Sequence, residues 1–213
     1  FSEDYAYFSS TSSSFLAHAK EYSKNIISNL SLDAESFVVE IASNDGYLLK
    51  NFVESNIPCL GIEPTDSTAD AAEKLGIPVL REFFGKNIAI NLSESGEKAD
   101  LILGNNVYAH VPDINDFTKG LAALLKPEGT ITLEFPHLMR LLEFNQFDTI
   151  YHEHFSYLSL HAVTSIFNMA GLRIYNVEEL STHGGSIRVF GCHANSEISE
   201  DNSVKAMLEQ EHQ

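Results

Sequence analysis

From residue 37 onward, short apolar runs alternate with stretches of helical spacing, and this alternation constrains the fold more than any other feature. The runs at 37–42, 59–62, 78–80, 99–104 and 129–135 are predicted strands, the last introduced by the turn Lys126-Pro127-Glu128-Gly129. Residues 47–54, 68–75 and 114–125 are predicted helices between them. Strands separated by helices pair in parallel and bury both faces of their sheet, and right-handed crossovers leave few topologies. A further helix over 161–170 stops at Gly171. Two last strands, 172–177 and 186–192, are joined by a loop too short for a parallel crossover, so they pair antiparallel. The expected fold is α/β and doubly wound, mostly parallel with an antiparallel last strand. Three divisions follow: a helical lead-in at 1–36, capped by Ser12 to Ser14; the α/β domain at 37–194; and a polar, acidic tail at 195–213 that reads as the start of a further region.

Charge narrows the partners. Among 213 residues, 30 are acidic and 13 basic, a net charge of −17, which argues against nucleic acid or an anionic lipid surface as partner. A local basic pocket for an anionic small molecule stays open. Cys59 and Cys192 are too few for a cysteine-rich zinc site or a disulfide framework; one disulfide stays open, with reduced thiols in a cytoplasmic protein expected. No apolar run approaches the roughly 20 residues of a membrane span.

The first strand runs into Glu40-Ile41-Ala42-Ser43-Asn44-Asp45-Gly46. A strand opening into a helix through small residues offers backbone N–H groups to a ligand. The dinucleotide pattern G-x-G-x-x-G is missing, with Gly46 alone present, so a pyrophosphate fits poorly. S-adenosylmethionine, an amino acid joined to a nucleoside without phosphates, fits better. Glu63, followed by Pro64, ends the second strand 23 residues after Glu40, near the roughly 20-residue spacing of a ribose-binding acid. Ser43 to Gly46 are then expected at the amino-acid end of the ligand. Asn105, Asn106 and Val107, after the fourth strand, are expected near the sulfonium. Glu82 and Phe83, after the third, are expected near the adenine.

Five histidines, His110, His137, His152, His154 and His183, fall in segments expected at the carboxyl rim of the sheet, where such folds bind ligands. His152 and His154 are two apart, which does not put them on one helical face as a zincin metal site needs; on a strand they would share a face and could chelate. A general base is the more natural use, since imidazole titrates near neutral pH, with Glu153 as an orienting partner. His152 is then assigned to the acceptor site rather than to metal, and no metal is expected. His183, Ser186 and Arg188 are expected on the substrate side, with Gly184 and Gly185 offering N–H groups to an anion; a plain hairpin turn is the competing reading.

These residues resemble a known family. E-I-A-S-N-D-G at 40–46, the block at 105–110, Y-H-E-H-F-S-Y at 151–157 and H-G-G-S-I-R-V-F at 183–190 look like the sugar C-methyltransferases, S-adenosylmethionine-dependent enzymes that methylate C3 of nucleotide-linked 4-keto-deoxysugars. The start, Tyr5-Ala6-Tyr7-Phe8-Ser9-Ser10, looks like the family's segment ahead of the cofactor domain. The resemblance implies a class I methyltransferase (Rossmann-like) sheet, His154 as general base, His110 as a second histidine near the ketosugar, and Tyr5, Tyr151 and Glu153 as polar companions. It implies a nucleotide sugar as the small-molecule substrate. Family members also carry an N-terminal zinc domain and a C-terminal domain, so this chain reads as the central domain of a longer protein. An O- or N-methyltransferase, a nicotinamide oxidoreductase and a non-catalytic binding domain are the competing readings.

Overall fold

The computed structural model describes residues 8–212. Ser12 accepts from the N–H of Phe15 and starts α1 (Ser13–Leu30), so the serine-rich entry caps as its chemistry suggests. There follow β1 (Val38–Ile41), α2 (Lys50–Glu54), β2 (Cys59–Ile62), α3 (Asp66–Glu73), β3 (Val79–Leu80), α4 (Lys86–Glu94) and β4 (Ala99–Asn105). The second half holds α5 (Ile114–Leu124), β5 (Leu125–Pro136), α6 (Leu138–Glu143), α7 (Leu160–Met169), β6 (Leu172–Leu180), β7 (Ser186–His193) and α8 (Asn202–Glu211).

One sheet contains all seven strands in the order β3-β2-β1-β4-β5-β7-β6. The first five are mutually parallel, and β7 runs antiparallel between β5 and β6. β1 is buried along its whole length, as the four-residue run Val-Val-Glu-Ile requires at the centre of a two-sided sheet. Two cores cover the two faces. One gathers Val39, Ile102, Leu133, Phe167 and Val189, and takes in Val204 and Met207 of α8. The other sets Ala19, Tyr22 and Ile26 of α1 against Leu48, Leu49, Phe52, Leu101 and Leu103.

Two local expectations differ from the structure. The segment 126–129 is not a turn ahead of β5. It is an irregularity inside that strand, because Ala99 pairs with Leu125 and Leu101 next pairs with Thr130, while Lys126 reaches back to Asp100 (2.7 Å). The helix α4 was not expected from sequence; it carries Ile88, Ala89, Ile90 and Leu92 but fully buries only Ala89.

Strand order reverses between β1 and β4, which splays the following loops apart and opens a crevice at the carboxyl ends of the strands.

Candidate active site

The loop after β1 is built on left-handed backbone. Ala42, Asn44 and Gly46 have φ of 57°, 51° and 77°. Gly46 alone among them is glycine, and a Cβ there would strike Ile77 and approach Ala72, so this glycine serves the turn and the packing of α3 rather than a phosphate. Glu63 ties this loop to the next one. One carboxylate oxygen accepts the N–H of Asn44 (3.0 Å) and the other that of Thr65 (2.9 Å). A carboxylate has about four acceptor positions, so Glu63 keeps capacity for a ligand hydroxyl. The N–H groups of Ser9 and Ser10 cover the loop, donating to Asn44 Oδ1 (3.0 Å) and Asp45 Oδ2 (3.1 Å).

A cavity of about 760 Å³ occupies the crevice. Nine of the residues expected at the cofactor line it: Ala42, Asn44, Glu63, Pro64, Glu82, Phe83, Asn105, Asn106 and Val107. Asn106 is left-handed (φ 55°) and its N–H donates to Glu134 O (2.8 Å), which turns the chain sharply off β4; its side-chain oxygen is buried and has no partner among the described residues. Glu40, Ser43, Asp45 and Gly46 do not line the cavity. Glu40 is 1% exposed, and burial, then the nearby Glu63 and Asp45 carboxylates, push its carboxyl well above the usual range. Sequence reasoning missed Ser9, Phe15, Thr65, Thr68 and Phe155, which also line the cavity; Ser9, Phe15 and Phe155 lie on segments without a strand-end signal, while Thr65 and Thr68 follow the end of β2.

The cavity is also lined by His110, Tyr151, His152 and Glu153. The rings of His110 and His154 meet edge to face at 4.6 Å. His110 Nδ1–H donates to Glu153 O (3.0 Å) and His154 Nδ1–H to Thr149 O (2.9 Å), so in each neutral ring Nε2 is the basic nitrogen. The Tyr151 hydroxyl donates to His154 Nε2 (2.9 Å). Burial, then the neighbouring His154, lower the pKa of His110. His154 itself stands one layer behind the cavity, reached through Tyr151 and His110. Tyr5 lies outside the described residues, as does the side chain of His183.

The structure does not bring Ser186 and Arg188 to the cavity. Ser186 is buried and its hydroxyl donates to Thr182 O (3.0 Å). Arg188 is 5% exposed and sits in register between Glu134 of β5 and Glu178 of β6, donating to both (2.9 and 3.0 Å). α1 closes this network from above, with His18 at 2.9 Å from Glu134 and the Tyr22 ring against the Arg188 guanidinium. Although burial opposes it, the hydrogen bond from His18 and the charge of Arg188 hold the Glu134 carboxyl below its usual range. His137 is likewise internal, with its Nε2–H donating to Glu211 (2.6 Å).

Among the described residues, no group of three or more His, Cys, Asp or Glu is placed to hold a metal ion. Cys59 and Cys192 are buried free thiols. No helix among the described residues is long and apolar enough to cross a membrane.

Known proteins share this architecture. The PH0226 protein from Pyrococcus horikoshii OT3 superposes with a TM-score of 0.71 at 13% identity, covering 91% of this chain and 99% of that one. Magnesium protoporphyrin IX methyltransferase from Synechocystis PCC 6803, crystallised with bound SAH, gives 0.63 at 13% identity, over 84% of this chain and 82% of that one. In sequence, the chain is 34% identical over 207 residues to the C-methyltransferase NovU of Streptomyces niveus, covering 97% of this chain and 49% of NovU. The chain therefore spans about half the length of the curated relative it matches. Residues 15–177 match a family described as a methyltransferase domain, a stretch that takes in β1 to β5 and enters β6. The chain belongs to the methyltransferase domain family.

Proposed function

We propose that the chain is the methyl-transferring part of a C-methyltransferase, with S-adenosylmethionine as cofactor and a nucleotide-linked 4-keto-deoxysugar as acceptor. One observation carries this reading: one cavity is lined both by Glu63 and Asn105 to Val107 and by His110, Tyr151 and Glu153. Its volume, about 760 Å³, lies within the range of small-molecule sites. The likeness to NovU, whose name describes C-methylation, supports the same chemistry. The residues present fit the cofactor. Glu63 has acceptor capacity for ribose hydroxyls, Asn106 Oδ1, which has no partner among the described residues, suits a donor on the ligand, and Phe83, 65% exposed, offers a ring face to a base. When bound, S-adenosylmethionine supplies an electrophilic methyl group.

The chain's own residues account for the activation of the acceptor. A ketone acidifies the neighbouring C–H bond. His154 Nε2 takes that proton, and the C–H electron pair becomes an enolate. The Tyr151 hydroxyl, which now donates to Nε2, turns to the ketone oxygen as acceptor enters; this frees the base and supplies the donor where negative charge develops. His110 keeps its ring neutral beside the reacting carbon, because burial and its neighbour oppose a second imidazolium there. The test is the hydrogen–deuterium exchange of the C3 position without cofactor, which isolates proton abstraction from methyl transfer. Exchange catalysed by the protein and lost on His154→Asn supports the reading; a protein that binds S-adenosylhomocysteine yet exchanges no carbon-bound hydrogen points to an O- or N-acceptor.

A further inference from the structure

The segment 138–157, which carries Tyr151 and His154, leaves the body of the protein and returns to it as an arm. Its base is closed by main-chain pairing, with Leu138 N–H donating to Leu158 O (2.9 Å) and His137 bridged to Leu158. The arm has almost no core of its own. Within it only Leu141 is buried, while Leu142, Phe144, Phe147 and Ile150 are all exposed. Outside its base it is tethered by Gln146 to Gly184 O (2.7 Å), by Arg140 to Glu179 (2.6 Å), by Ser156 N–H to Ala109 O (3.1 Å), and by Glu153 O, which accepts from His110 Nδ1–H (3.0 Å). An arm with so little buried area depends for its placement on how its two roots are held as well as on these tethers.

One side chain holds both roots. Glu211, in the last turn of α8, accepts from His137 Nε2–H (2.6 Å) at the outgoing root. At the returning root it accepts the first backbone N–H groups of α7, from Leu160 to Oε1 (2.5 Å) and from His161 to Oε2 (2.8 Å). The side chains of His137 and Glu211 are 0% and 6% exposed, so water does not compete for these bonds. The carboxylate also meets the positive end of the α7 dipole, where the unpaired N–H groups of a helix collect. α8 is itself fixed by Val204 and Met207, which are buried in the core that includes Phe167 of α7 and Val177 of β6.

We propose that Glu211 is a positioning residue: by clamping both roots of the arm, it sets where Tyr151 and His154 stand relative to the cavity. This rests on the reading that the arm carries the base. The test uses Glu211→Ala and Glu211→Gln in the complete protein, with His137→Asn as a variant that releases one root only. Hydrogen-exchange mass spectrometry should show the arm amides exchanging faster in Glu211→Ala while those of β1 and β4 keep wild-type rates. C3 proton abstraction should slow by about a hundredfold, the loss expected when a catalytic group is misplaced by about 1 Å, with affinity for S-adenosylhomocysteine unchanged. Glu211→Gln, which keeps one acceptor oxygen, should recover part of the rate. On a His154→Asn background, Glu211→Ala should cost nothing more, since groups that act as a unit are not additive. Arm amides at wild-type rates in Glu211→Ala overturn the proposal, as does an equal loss with and without His154. If His154→Asn alone left proton abstraction intact, the catalytic reading would fall, while faster arm exchange would still support the clamp.

Discussion

The Tyr151 hydroxyl and His154 Nε2 are 2.9 Å apart, three residues from each other in a segment that buries neither. That pairing joins the donor and the base of the proposed chemistry in one hydrogen bond. Tyr151→Phe should therefore reduce methyl transfer by about 10²-fold, the loss seen when one oxyanion donor is removed, with cofactor affinity unchanged. Steady-state turnover and calorimetry with S-adenosylhomocysteine check both halves. A variant with wild-type turnover would place the donor elsewhere.

Glu63 holds the loops after β1 and β2 together through two backbone N–H groups. Glu63→Ala removes that tie and the acceptor proposed for the ribose. Affinity for S-adenosylhomocysteine should fall by roughly 1.5–3 kcal/mol, the range for a hydrogen bond to a charged group. Unchanged affinity by calorimetry would mean that the cofactor is held without this end of β2.

Arg188 and Glu134 are a buried pair, 5% and 1% exposed, roofed by His18 and Tyr22. Arg188→Met leaves the Glu134 carboxylate without its main cation and should destabilise the protein by about 3–5 kcal/mol in chemical denaturation. Adding Glu134→Gln should restore much of the loss. The Glu134 carboxyl is held low in the fold, so its stabilisation is present above the unfolded carboxylate value and is lost as pH falls through the folded one. An Arg188→Met variant as stable as wild type would contradict this.

His110 titrates in the opposite chemical sense with the same direction in pH. Its folded pKa is lowered, by burial first and then by His154, so the unfolded chain binds the proton more readily. The neutral ring's advantage is therefore full above the unfolded value of about 6.5 and is lost as pH falls through it toward the lower folded value. His110→Asn should lose less stability than wild type over that acid step, measured by denaturation at a series of pH values. Identical pH dependence in the two proteins would remove His110 as the group responsible.

Much of the fold was legible because period-two and helical spacings report directly on a two-sided parallel sheet, and the strand ends report on where its ligands sit. That is why Glu63 and Asn105 to Val107 fall on the cavity. Arg188 was not legible. The sequence tells that β7 starts at the rim, but not that α1 covers the face from which Arg188 projects. That cover depends on His18 and Tyr22 meeting Glu134 and Thr132, contacts more than a hundred residues apart in the chain. Glu211 was invisible for the same reason: its partners, His137 and the start of α7, are 74 and about 50 residues away. In α4 the apolar residues Ile88, Ile90 and Leu92 alternate with a period of two, a spacing that does not single out a helix, and Ala89 alone is fully buried.

In the proposed reaction His154 removes the proton from the carbon that receives the methyl group. The most direct measurement is deuterium exchange at C3 of the nucleotide-linked ketosugar in the absence of S-adenosylmethionine, comparing wild type, His154→Asn and His110→Asn in the complete protein. A positioned base contributes about 10²–10⁴-fold, so His154→Asn should slow exchange by that factor while its affinity for S-adenosylhomocysteine stays at the wild-type value. Exchange at the wild-type rate in His154→Asn, together with its loss in His110→Asn, would contradict the claim and make His110 the base.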